Sequence, residues 1–231
     1  MTEQKREAAE LLLSNRLFLD CLLHKLFGRE PDAELLNILA EKHTGEAFGL
    51  LSGEDGDVLD CTATFLGEIR EDRKNPAFLE EIKAEYTRLF IGPESLMAPP
   101  WESVYGQKDA MLFQESTLEV RNTYRRFGLL PEGYPRVADD SLALELHFMT
   151  LLARHGLGAF YAGDAEALRS DLDGSGEFLE KHLLIWVPKF LECMKGTKSR
   201  VLYPQMCLVL DAFLQKDAET VQELRDAVEL A

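Results

Sequence analysis

Positive charge is scarce in this chain. Its 231 residues hold 25 lysines and arginines against 41 aspartates and glutamates, for a formal net charge of −16. A protein that tracks phosphates needs clustered cations to displace counterions, so nucleic-acid binding is excluded as a main activity, and polybasic membrane association with it. Cysteine is sparse as well. Cys21, Cys61, Cys193 and Cys207 lie far apart and form no Cys-x-x-Cys pair, which argues against a disulfide framework or a structural zinc site. No apolar run reaches the roughly 20 residues of a membrane span. The N-terminal stretch lacks the basic end, apolar run and small-residue cleavage site of an export signal. A cytoplasmic, reduced location is the expectation.

The usual marks of catalysis are also missing. There is no GxGxxG, no GxxxxGK[ST], no HExxH and no GxSxG. Lys195-Gly196-Thr197-Lys198-Ser199 lacks the upstream glycines that cradle a phosphate. The five histidines do not fall at metal-ligand spacing. No cofactor, no metal and no catalysis of its own are expected. A small all-α nucleotide-binding or hydrolytic enzyme, with groups converging from distant positions, is the alternative reading.

What is present is helical periodicity, with no strand-like alternation to compete. Apolar residues at three- and four-residue steps predict helices over 3–26, from Pro31-Asp32 through Leu39, and over about 55–72. Asn75 and Pro76 supply an N-cap and a first-turn proline for a helix reaching Phe90. Others fit 116–127, 164–172, 176–194 with Pro188 as a kink or break, 199–215, and 217–229 capped by Asp217. Between them SLALELHFMTLLA, opened by Asp139 or Asp140 as cap, is apolar on nearly every side and belongs in the middle of the fold. A single all-α domain over 1–231 is expected, about ten helices around that buried central helix, with a possible hinge at 128–138.

One loop is stiffer and more aromatic than a connector needs. Residues 91–109, IGPESLMAPPWESVYGQKD, contain Pro93, Pro99, Pro100, Trp101 and Tyr105. Tyr86 and Leu89-Phe90 precede it, Gly92-Pro93 opens it, and Ser103-Val104-Tyr105 follows Pro99-Pro100-Trp101. With Asp139-Asp140-Ser141 through Met149 and EKHLLIWVPKF at 180–190, this order resembles the TorD/DmsD/NarJ redox-enzyme maturation chaperones, the DmsD/TorD branch most of all. The resemblance covers most of the chain in helix order and is strongest from Tyr86 to Met149. It implies a cytoplasmic, TorD-like chaperone of anaerobic respiration. Such a chaperone binds the twin-arginine signal peptide of a molybdopterin oxidoreductase of the DMSO/TMAO-reductase type. It holds the apo catalytic subunit through cofactor insertion, folding and assembly before export. A monomer or a helix-swapped dimer fits the resemblance, and no stable membrane insertion is expected.

The residue chemistry suits such a peptide. Two adjacent guanidiniums call for carboxylates beside aromatic faces on which they stack. Glu102, Asp139 and Asp140 are the charged candidates, and Tyr86, Phe90, Trp101 and Tyr105 the aromatic ones. Pro99 and Pro100, with Pro93, would hold the loop preformed, and Ser103 and Ser141 complete the peptide-binding set. Ser141 stands where the family often has histidine, keeping a hydrogen-bonding group without the ring or its titratable charge. Each candidate has a plainer reading. Tyr86 and Phe90 lie one turn apart and suit a core, Pro99-Pro100 shapes a turn, and aspartate is a good helix cap. Glu145 inside the apolar helix suits a buried, hydrogen-bonded carboxyl, and His182 and Trp186 suit packing.

Overall fold

The computed structural model describes residues 2–51, 57–92, 95–106, 115–131, 138–197, 199 and 201–229, the side chains of 57–61, 115 and 228–229 excepted. Pro93 and residues 132–137 of the expected hinge lie outside the described residues. Among those described, all regular structure is helical: α1 (Glu3–Gly28), α2 (Ala33–Ala40), α3 (Lys42–Gly49), α4 (Asp57–Asp72), α5 (Pro76–Tyr86), α6 (Glu102–Tyr105), α7 (Glu115–Arg126), α8 (Leu142–Ala162), α9 (Ala165–Phe178), α10 (Leu184–Gly196) and α11 (Tyr203–Glu229). A π turn over Thr87–Ile91 extends α5, and another over Leu179–Leu183 joins α9 to α10.

Local chemistry sets several boundaries. Asp32 accepts from the Leu35 N–H at 2.8 Å and starts α2, and Asn75 accepts from Ala77 ahead of Pro76. The cap of α8 is Ser141, which accepts from Leu144, so neither Asp139 nor Asp140 has that role. Asp217 is no cap either. It lies inside a continuous α11, buried, with Arg16 Nε on its carboxylate at 2.7 Å. Residues 165–196 likewise form one helical run, because the π turn ends just ahead of Leu184, the residue whose carbonyl would seek an N–H that Pro188 lacks. Short α3, KHTGEAFG, was not expected. Its threonine and two glycines are weak helix formers, while Thr44, Ala47 and Phe48 are buried.

The packing divides into two compact units. Unit 1 comprises residues 1–24, 101–187 and 214–231, and unit 2 comprises 25–100 and 188–213. In unit 1, ten of the 21 residues of α8 are buried, Leu142, Leu146 and Met149 among them. Phe148 meets Tyr124 and Phe178 at ring separations of 4.9 and 4.8 Å. Gly174 is required here, since a Cβ on it would lie 2.1 Å from the Phe127 ring. In unit 2 an aromatic cluster of Phe27, Tyr86, Phe90 and Tyr203 is joined by the apolar faces of α2, α4 and α5.

Candidate functional site

Most of the predicted residues meet in unit 1. Trp101 and Ser141 pair as an isolated antiparallel bridge. Next to it the Glu102 N–H donates to the Asp140 carbonyl at 2.9 Å, and the Ser103 N–H donates to Asp140 Oδ2 at 2.8 Å. The end of the proline-rich loop is thereby tied to the segment that opens α8. Glu102 starts α6, and its carboxylate meets His182 Nδ1 at 2.9 and 3.2 Å. Trp186 Nε1 donates to Glu145 Oε2 at 2.8 Å, and the indole stacks on Tyr105 with centroids 5.7 Å apart. Arg121 directs Nε and Nη2 at Asp139 Oδ2, while Tyr124 donates its hydroxyl proton to the Asp139 carbonyl.

The electrostatics are unbalanced. Glu102, Asp139, Asp140 and Glu145 are all buried, and among the described residues the cationic groups bonded to them are Arg121 and, when protonated, His182. Burial, and then the charge of Glu102, pushes the Glu145 carboxyl well above the usual carboxylate range, against the pull of the Trp186 N–H. Burial, and then Glu145, pushes the Tyr124 hydroxyl up too. Among the described residues, Asp139 Oδ1, Asp140 Oδ1 and Ser103 Oγ are buried with no hydrogen-bond partner, an arrangement that costs free energy unless it is answered. Trp101, Tyr105 and Ser141 are half-buried and bring this network to the surface.

The remaining candidates lie in unit 2. Tyr86 and Phe90 have ring centroids 5.1 Å apart, and both reach Tyr203, at 6.0 and 5.0 Å. Tyr86 is buried and Phe90, Pro99 and Pro100 half-buried. Their packing on Tyr203 fits the core reading of these rings, while Phe90 keeps part of its surface open. Sequence reasoning missed Arg121 and Tyr124 as partners of Asp139 and His182 as partner of Glu102. The signal available for the last was the recurrence of His182 and Trp186 one turn apart. The buried, hydrogen-bonded Glu145 is as expected. Among the described residues no group of His, Cys, Asp and Glu could hold a metal ion, and no helix is long and apolar enough to cross a membrane.

Comparison with known proteins agrees with the motif order. The family profile described as nitrate reductase delta subunit matches residues 56–192, more than half of the chain, and the chain belongs to that family. Its relatives carry chaperone names. The chaperone protein TorD of Vibrio cholerae is 28% identical over 188 residues, which cover 80% of this chain and 84% of that one. The Tat proofreading chaperone DmsD of Salmonella typhi is 33% identical over 113 residues, 49% of this chain and 48% of its own. A solved structure described as a redox enzyme maturation protein, from Archaeoglobus fulgidus, aligns over 93% of both chains with 20% identity and a TM-score of 0.45.

Proposed function

We propose that this chain is a system-specific maturation chaperone. Its client is the apo catalytic subunit of a molybdopterin oxidoreductase of the DMSO/TMAO-reductase type, and it binds that subunit's twin-arginine signal peptide before export. The enzymic alternative draws no support from relatives that are named chaperones. A cytoplasmic site of action follows from the same reading, because the peptide must be met before translocation.

The observation that carries the peptide reading is that, among the described residues, buried carboxylates outnumber the cations bonded to them beside an aromatic surface. A guanidinium is the natural complement: it forks onto a carboxylate, is less strongly hydrated than an ammonium, and stacks on aromatic faces. Glu102 is the least buried of the four carboxylates, at 8% exposure, and is the group we assign to the first arginine, with Trp101 and Tyr105 as its stacking faces. Asp139 and Asp140 act as positioning residues. Asp140 fixes the backbone of Glu102 and Ser103, and Ser141 holds Trp101 in the bridge. Pro99 and Pro100 limit the freedom of the loop before binding, and Tyr86 and Phe90 supply the apolar ground on which its other end rests.

The test is calorimetry with the twin-arginine signal peptide of a DMSO/TMAO-reductase-type molybdoenzyme from the same genome, as the native peptide and as an Arg-Arg to Lys-Lys version. The expected outcome is saturable binding of the first, weakened about tenfold or more in the second. Absence of binding to the native peptide would overturn the chaperone reading. Unchanged binding by Trp101→Ala and Glu102→Gln proteins would overturn the site assignment alone.

A further inference from the structure

One stretch of this acidic chain is basic. Residues 188–200 hold Lys189, Lys195, Lys198 and Arg200 against Glu192 alone, and Glu192 pairs with Lys195 at 2.8 Å. Within unit 2, Arg88 grips this stretch, donating to the Thr197 carbonyl at 3.4 Å and to Ser199 Oγ at 3.2 Å. Beside it opens a cavity of about 580 Å³ whose wall includes Thr87, Arg88, Leu89, Met97, Ala98 and Thr197.

Three further observations meet at this cavity. The π turn Thr87–Ile91 forms part of its wall, and such turns recur at functional sites. The turn closes on Gly92, whose φ of 96° and ψ of −174° are open essentially to glycine only. Ile91 and Met97 are 63% and 65% exposed although both are large and apolar. A thioether at a surface suits a contact that adapts to its partner.

We propose that this groove docks an acidic, apolar peptide segment of a protein partner. Arg88, held by two acceptors, still has donors to offer a carboxylate, while Met97 and Leu89 receive apolar side chains. The sign of the charge is wrong for a twin-arginine segment, so this surface is separate from the carboxylate network of unit 1 and engages a different part of a client. The apolar wall and the exposed Ile91 and Met97 favour a peptide over a bare phosphate group.

The probe is a blocked decapeptide of alternating leucine and glutamate, with its leucine–lysine counterpart as control, titrated into protein carrying 13C-methyl methionine. The expected result is a saturable shift of the Met97 methyl with the glutamate peptide and none with the lysine peptide. Arg88→Glu should weaken the binding about tenfold, as should raised salt, because an exposed charge contact is screened. Arg88→Gln keeps hydrogen-bond donors to the 197–199 loop and should weaken it less. The buried methyls of Met149, Met194 and Met206 report whether each variant is folded. No Met97 shift, equal response to both peptides, an unaffected Arg88→Glu protein, or displacement by millimolar inorganic phosphate would overturn the proposal.

Discussion

The two units bury carboxyl groups in different ways. Unit 2 has one buried carboxylate among its described residues, Glu85, and it is fully answered. It accepts from the Ser199 hydroxyl and from the Val201, Leu202 and Tyr203 N–H groups, the unpaired donors where α11 begins. Among its described residues unit 1 buries seven: Asp20, Glu102, Asp139, Asp140, Glu145, Asp171 and Asp217. Both oxygens of Asp20 and one each of Asp139, Asp140, Glu145 and Asp217 have no hydrogen-bond partner among the described residues. Glu85 is what a buried carboxylate looks like when its task is to hold a fold. Those of unit 1 are answered less fully by the described residues, and Glu102, Asp139 and Asp140 lie beside the half-exposed Trp101 and Tyr105.

Breaking this contrast should cost most where a charge is left alone. Arg16→Met removes the cation that faces Asp217 and Asp20 and should destabilise the protein by about 3–5 kcal/mol in urea unfolding. Glu85→Gln keeps the shape of the unit 2 anchor but removes its charge from several donors, and should cost about 1.5–3 kcal/mol by the same measurement. Asp20→Asn should go the other way. Burial, opposed by Arg16 and reinforced by Asp217, raises the Asp20 carboxyl well above its ordinary value. The folded state then holds a proton that the unfolded state has released, so wild-type stability falls as pH rises from the unfolded pKa near 4 toward the raised one. The Asp20→Asn protein should lose that slope and be the more stable at neutral pH, by about 1 kcal/mol or more. Parallel pH profiles for the wild-type and Asp20→Asn proteins would contradict the assignment.

The smallest effect is expected at the surface. Glu177, held down to about 2 by Arg126 and Lys181, should contribute only about 0.5 kcal/mol, because these pairs face solvent. That contribution is present above the unfolded pKa and is lost as pH falls toward 2. Thermal unfolding of Glu177→Gln across acidic pH would measure it.

Much of the helical layout was legible because caps and periodicity are local properties. Asp32, Asn75-Pro76 and the apolar α8 declare themselves within a few residues. The errors came from contacts at long range. Asp217 has the chemistry of a cap, and only Arg16, 201 residues away, shows why it lies mid-helix. The candidate site was legible to the same depth. The loop and the Asp139-Asp140-Ser141 block stand out in the sequence, and the bridge between Trp101 and Ser141 joins them. Their direction was not legible, since whether a carboxylate faces solvent or the interior depends on Arg121 and Tyr124 of α7 and on His182, which arrive from two other places in the chain.

The central proposal is that the buried carboxylate of Glu102 in unit 1 receives a guanidinium of a twin-arginine partner. It is tested most directly by a double-mutant cycle in calorimetry, crossing Glu102→Gln with the Arg-Arg to Lys-Lys change in the signal peptide. Circular dichroism would confirm that each protein is folded. If Glu102 receives the guanidinium, the two losses overlap, and the coupling between them should be about 1 kcal/mol or more. Strictly additive losses, or tight binding of both peptides by the Glu102→Gln protein, would show that the carboxylates of unit 1 do not read the arginine pair.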